Sequence, residues 1–224
     1  MDSAPGSVEQ LALRIDLRSA VLEADLSLPG TARGVVLFAH GSGSSRFSPR
    51  NRQVARQLNE AQLATVLADL LTPAEEAIDE RTRQLRFDIQ LLAERLVELT
   101  DWLRADTRTA TLNIGYFGAS TGAGSALVAA AQRPDTVRAV VSRGGRPDLA
   151  GQALARVRAP TLLIVGGNDG AVIDLNRQAL GLLHSQKQLA IVPGATHLFE
   201  EPGALDTVSA LARDWFLGHL DRPL

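Results

Sequence analysis

The five residues Val35-Val36-Leu37-Phe38-Ala39 leave no polar position for a wet face, and similar runs recur at residues 63–70, 111–117, 137–141, 161–165 and 189–192. A strand with no polar parity must be covered on both sides, the situation of a parallel sheet between helical layers. Amphipathic segments fall between these runs, roughly at 49–61, 81–104, 122–132, 150–157, 174–183 and 204–220. Strand and helix signals in alternation predict an α/β fold with helices on both faces of one mainly parallel sheet. Ahead of it, residues 11–17 and 21–28 alternate apolar with polar side chains, and Pro29-Gly30 closes the second stretch as a turn. That pattern predicts an antiparallel pair at a sheet edge and brings the strand count to about eight.

The 224 residues suit one α/β domain over 1–224, with 1–10 expected as a flexible N-terminal tail. A net charge of −2 gives no electrostatic footprint for nucleic acid or an anionic membrane. The absence of cysteine excludes disulfides, thiolate metal sites and a cysteine nucleophile. Residues 1–10 lack the basic start and apolar block of a secretory signal, and no apolar run approaches the roughly 20 residues that span a bilayer. A cytoplasmic location is therefore expected, for a monomer or homodimer. Only the connection at 71–80 is long enough to act as a lid, and the short spacing after Val141 leaves no room for a cap domain.

The chemistry concentrates at Gly118-Ala119-Ser120-Thr121-Gly122, which an apolar strand enters and a helical run leaves. G-x-S-x-G in that setting is a sharp strand-to-helix turn that raises a serine hydroxyl above the sheet edge. A serine hydroxyl needs a base within hydrogen-bond reach and a third group to orient that base. His197, in the Gly-bearing loop 193–199 past the last strand, is the candidate base. His184 and His219 read as surface residues, and His40 precedes the serine, the wrong order for this kind of sheet. Asp169, in Gly166-Gly167-Asn168-Asp169-Gly170, is the candidate orienting acid. Asp174 is its rival but reads as the cap of the following helix.

For the developing oxyanion, one donor is the backbone N–H of Thr121 and the other that of Ser42 in His40-Gly41-Ser42-Gly43, with Gly43 as runner-up. The Gly/Ser-rich loop lacks the spacing of a phosphate-binding loop. Expected pocket walls are Phe47 and Arg46, Leu70 and Leu71, Arg143, and Leu198 with Phe199. Arg143, at a strand's carboxyl end, either binds a substrate carboxylate or phosphate or pairs with Asp148 or Asp69.

These motifs resemble the α/β-hydrolase superfamily, and the layout is most similar to its dienelactone hydrolase-like branch. The resemblance runs from about Leu11 to Leu220 and rests on His40-Gly41-Ser42-Gly43, Gly118 to Gly122, Gly167-Asn168-Asp169 and Gly194-Ala195-Thr196-His197. It implies an eight-stranded fold, hydrolysis of a small carboxylic ester or lactone as the small-molecule substrate, and no metal or organic cofactor. Dienelactone hydrolases themselves use a cysteine nucleophile, whereas position 120 is serine. That departure favours a serine esterase on the same scaffold. Thioester or acyl-transfer chemistry, promiscuous phosphotriester hydrolysis, and a non-catalytic ligand-binding protein of the same fold are the alternatives.

Overall fold

The computed structural model of the chain describes residues 7–221. Eight strands make one sheet: β1 (Val8–Asp16), β2 (Val21–Pro29), β3 (Val35–Ala39), β4 (Ala64–Ala68), β5 (Ile114–Ala119), β6 (Val137–Arg143), β7 (Thr161–Gly166) and β8 (Lys187–Val192), in the order β1-β2-β4-β3-β5-β6-β7-β8. β1 pairs antiparallel with β2 and β2 antiparallel with β4, while every pair from β4 to β8 is parallel. β1 already begins at Val8, inside the stretch expected as a tail, and residues 1–6 of that stretch lie outside the described residues.

Alternate residues of the central strands feed two separate cores. Leu37, Val66, Tyr116 and Val140 point to one face, where α3 (Ile89–Ala105) and α4 (Thr121–Gln132) cover them. Phe38, Phe117, Val141 and Ile164 point to the other, under α1 (Pro49–Glu60) and α6 (Ala204–Leu220). This is why the central strands carry no polar parity. β8 departs from that rule: as an edge strand it is half exposed, with Ile191 open to solvent.

The helices differ from expectation in three places. The segment 81–104 is not one helix. α2 (Pro73–Thr82) ends at Arg83 in the left-handed region (φ 56°), a 3-10 turn follows at Leu85–Phe87, and α3 starts afresh with Asp88 accepting from Leu91 N–H. α2 therefore fills most of the connection expected at 71–80. It starts with a capping box, in which Thr72 Oγ1 accepts from Glu75 N–H and Glu75 Oε2 accepts from Thr72 N–H. Residues 147–156 form 3-10 turns kinked at Gly151 rather than a regular helix. α5 spans Gly170–Leu182, so its cap position is Asp169 and not Asp174, which lies inside the helix and pairs with Arg177.

Among the described residues, no helix is long and apolar enough to cross a membrane.

Candidate active site

β3 lies between β4 and β5, so the chain leaves β3 toward one side of the sheet and later continues toward the other. The carboxyl ends of β3 and β5 flank that switch point, where the crevice of an open α/β sheet forms. Ser120 follows β5, and the loop 40–48 follows β3.

Ser120 has φ 51° and ψ −123°, a conformation that an L-residue adopts only when its surroundings hold it there. They do so through its backbone. Ser120 N–H donates to Arg143 O at 3.2 Å, and Ser120 O accepts from Arg146 N–H at 3.0 Å and Ala123 N–H at 3.1 Å. Gly122 lets α4 sit against the end of β3, because a Cβ there would lie 2.2 Å from Ala39 O.

Ser120 and Asp169 occupy the N-cap positions of α4 and α5. Serine and aspartate are among the best capping residues, normally accepting an N–H of the first helical turn. Neither side chain caps here. Both turn instead to His197: Asp169 Oδ2 lies 2.7 Å from Nδ1, and Ser120 Oγ lies 3.4 Å from Nε2. The carboxylate accepts a hydrogen bond from Nδ1–H, which leaves the Nε2 lone pair facing the hydroxyl. The 3.4 Å separation is long for a hydrogen bond, as is common before substrate closes the site.

The loops carrying the acid and the base are tied together. Gly167 N–H donates to Val192 O, Asn168 N–H to Ala195 O, and Asn168 Nδ2 to Gly194 O, all at 2.8–2.9 Å. Beyond His197, Phe199 (φ 57°) is 1% exposed and plugs into the core, so it anchors the base loop and is not a pocket wall. Leu70, at 0% exposure, is likewise core.

The remaining expected walls divide. Leu198 and Phe47 are exposed, and Phe47 lies 4.2 Å beneath the Arg46 guanidinium and 4.8 Å from that of Arg52. Arg46 itself is bound to Asp69 and Glu23. Arg50 Nη1 reaches Glu200 at 3.1 Å, joining the start of α1 to the base loop. Leu71 lines a cavity of about 380 Å³ together with the 40–45 loop, Leu92, Glu76, Glu80 and Arg86. Glu76 titrates above the usual carboxylate range, owing first to burial and then to Asp69 and Glu80.

Arg143 is 7% exposed and takes neither of the partners expected for it: Asp148 is held by Arg146 and Asp69 by Arg46. Its Nη2 donates to Asn51 Oδ1 at 3.0 Å, and Nε has no partner among the described residues. Burial, then the like charge of Arg50, pushes it down to about 10, still a cation at neutral pH.

His40, set aside as a base because it precedes the serine, has backbone groups as its partners. His40 is not a base; its Nε2 accepts from Leu70 N–H at 3.2 Å, which places the ring proton on Nδ1, 3.1 Å from Gly41 O. Its place at a strand end directly before Gly-Ser-Gly was legible in the sequence, and its bond from Leu70 was not. Among the described residues, no group of three or more His, Asp or Glu side chains is placed to hold a metal ion.

Strand order, the strained serine turn and the loops gathered at the carboxyl edge define an α/β-hydrolase fold. The chain belongs to the dienelactone hydrolase family, whose model matches residues 22–216. The crystal structure of dienelactone hydrolase from Anabaena variabilis is 60% identical with a TM-score of 0.94, over 95% of this chain and 99% of that one. Two Mycobacterium tuberculosis proteins, named provisionally as phosphoribosyl transferases, are 60% identical over 198 residues, 88% of this chain and 44% of theirs. The chain thus spans less than half the length of those curated relatives. Est1E from Butyrivibrio proteoclasticus, at 17% identity and a TM-score of 0.75 over 92% of this chain and 98% of that one, shares the fold.

Proposed function

We propose that this hydrolase cleaves small carboxylic esters or lactones through Ser120, His197 and Asp169. The observation that carries the reading is the diversion of two capping side chains, Ser120 and Asp169, onto opposite nitrogens of one imidazole. Ser120 Oγ attacks the carbonyl carbon while its proton passes to His197 Nε2. The tetrahedral adduct collapses, and the leaving alkoxide takes that proton as it departs. Water, deprotonated by the same nitrogen, then attacks the acyl-serine, and the proton returns to Ser120 as the acid is released.

Ser120→Ala should lower p-nitrophenyl acetate turnover by several orders of magnitude and abolish labelling by a fluorophosphonate; a variant as active as the parent overturns the assignment. Protonating His197 Nε2 occupies the lone pair that must receive the serine proton, so turnover should fall on acidification. His197→Gln, which keeps a polar amide but has no basic nitrogen, should lose turnover as Ser120→Ala does; a variant as active as the parent removes His197 from that role.

A second reading concerns the substrate's charge. A buried guanidinium with no carboxylate partner among the described residues is costly to hold, which favours Arg143 as the recognition site for an anionic group, as in an ester or lactone that carries a carboxylate. Arg143→Met should then reduce kcat/KM for anionic esters about tenfold or more, with neutral esters little changed; equal effects on both classes make the arginine structural. The phosphoribosyl transferase name of the longer relatives is assigned, in this reading, to the part of them that this chain does not span. Consumption of phosphoribosyl pyrophosphate by this chain alone overturns that division.

A further inference from the structure

The second oxyanion donor is expected to be the backbone N–H of Ser42, yet that N–H is already directed elsewhere. It donates to Thr121 Oγ1 at 2.9 Å, across the crevice between the β3 and β5 loops. The approach is close because position 41 carries no side chain: a Cβ there would lie 3.1 Å from both Ser120 Cβ and Ala119 O.

The Gly41–Ser42 peptide unit is pinned at both ends. Its carbonyl oxygen accepts from His40 Nδ1–H at 3.1 Å and Ser44 N–H at 3.2 Å, while its N–H is held by Thr121. The His40 ring is oriented in turn by Leu70 N–H. A peptide so fixed does not swing its N–H toward a new acceptor without breaking several bonds. Hydrogen bonds accepted at the carbonyl also polarise the N–H of the same unit, and this polarisation passes to the hydroxyl that accepts from it.

Thr121 is buried, and its hydroxyl uses an oxygen lone pair to accept from Ser42. The hydroxyl proton has no acceptor among the described residues. It belongs to the residue next to the nucleophile, at the first position of α4, whose backbone N–H is the other oxyanion donor. The β-branched side chain allows few rotamers, so the hydroxyl is held in place before substrate arrives.

We propose that the Thr121 hydroxyl is itself an oxyanion donor: one residue supplies both hydrogen bonds to the tetrahedral intermediate, from its backbone N–H and from Oγ1–H. Ser42 and His40 act behind it as positioning residues, through the Gly41–Ser42 peptide. This rests on the serine-hydrolase reading above and changes which atoms meet the negative charge. No proton leaves the hydroxyl; it donates a hydrogen bond that strengthens as charge builds on the former carbonyl oxygen and weakens when the adduct collapses.

The test is a comparison of the parent with Thr121→Val, which keeps the shape and removes the hydroxyl, and Thr121→Ser, which keeps the hydroxyl. Thr121→Val should lose roughly 10²-fold in kcat and in kcat/KM alike on p-nitrophenyl acetate, the mark of a contact made only in the transition state. Thr121→Ser should stay within a few-fold of the parent. A trifluoromethyl ketone, whose adduct with Ser120 carries the same oxyanion, should bind Thr121→Val about as many fold more weakly, while acetate inhibits both alike. Should Thr121→Val fail to fold, Thr121→Ala carries the same expectation, and circular dichroism identifies the folded variant. A folded Thr121→Val with parental kcat, or with higher kcat because the hydroxyl had been filling the oxyanion position, overturns the proposal and leaves the serine mechanism standing. A parent that neither turns over an ester nor takes a fluorophosphonate overturns both.

Discussion

Ser120 combines the hydroxyl of the proposed nucleophile with a backbone that folding disfavours. At φ 51° and ψ −123°, its Cβ crowds the backbone, a strain of order 1–3 kcal/mol at such positions. Ser120→Ala keeps that Cβ, whereas Ser120→Gly removes it. Urea denaturation should therefore find Ser120→Gly more stable than Ser120→Ala by about 1 kcal/mol, after the extra freedom of glycine in the unfolded chain is set against the relief. Equal stability of the two variants argues that the turn is unstrained. Ser120, Asp169 and His197, which the structure brings together, were each legible, because each lies in a turn or loop three to five positions past an apolar run and they come in the order serine, acid, base. The bond from Ser42 to Thr121 was not legible: it depends on a side-chain rotamer and on how closely two loops approach, and neither has a sequence period. Arg143 was legible as a cation at a strand end but not in its partner, since Asn51 lies on a helix 92 positions earlier.

At the scale of elements, strands were easier to read than helices. The central strands are buried on both faces, so an unbroken apolar run marks them directly. α2 is the opposite case, because Asp79 is its one buried residue and no apolar stripe announces it. Its signal was chemical: Thr72, a proline at the first position and Glu75 three residues on. The missed break at Arg83 has the same origin, as a left-handed arginine ending a helix has no apolar signature. α2 lines the cavity beside the 40–45 loop through Glu76, Asp79 and Glu80. Removing the cap with Thr72→Ala should cost the helix about 1 kcal/mol. With so little apolar burial to lose, the effect should be local. Hydrogen exchange should quicken over residues 73–88 while protection of β3 and β5 is unchanged, and a uniform loss of protection across the sheet would show instead that α2 unfolds only with the whole molecule.

For the whole molecule, the sheet order was the part least available from sequence. β3 pairs with β5 as well as β4, and that long-range choice is what creates the switch point under the site. The same arrangement buries His40 between the β3 loop and Leu70, and this ties global stability to pH. Burial is the largest influence on His40 and lowers its pKa below the ordinary 6.5, against the opposing pull of the Gly41 carbonyl and Asp69. Because the folded value is depressed for a base, the unfolded chain binds the proton first. The contribution of neutral His40 is therefore present above pH 6.5 and is lost as pH falls through that value toward the folded one. A proton on Nε2 would also meet the Leu70 N–H that now donates to it. Asp101, held low first by its bond from Arg133, and Asp106, held low first by its bond from Arg108, act in the same direction at lower pH. Their stabilisation is complete above roughly pH 4 and fades as pH falls through their depressed values. Glu76 opposes them, since its raised folded value makes protonation favour the native state as pH falls. The histidine phase can be isolated with His40→Gln, whose amide can make both bonds but does not titrate. Urea denaturation from pH 7.5 to pH 5 should show the parent's advantage over this variant shrinking by up to about 1.4 kcal/mol per pH unit once below 6.5. A difference that stays constant across the range would mean that native His40 takes up its proton as readily as the unfolded chain does, and that the Gly41–Ser42 peptide is held by something other than a neutral imidazole.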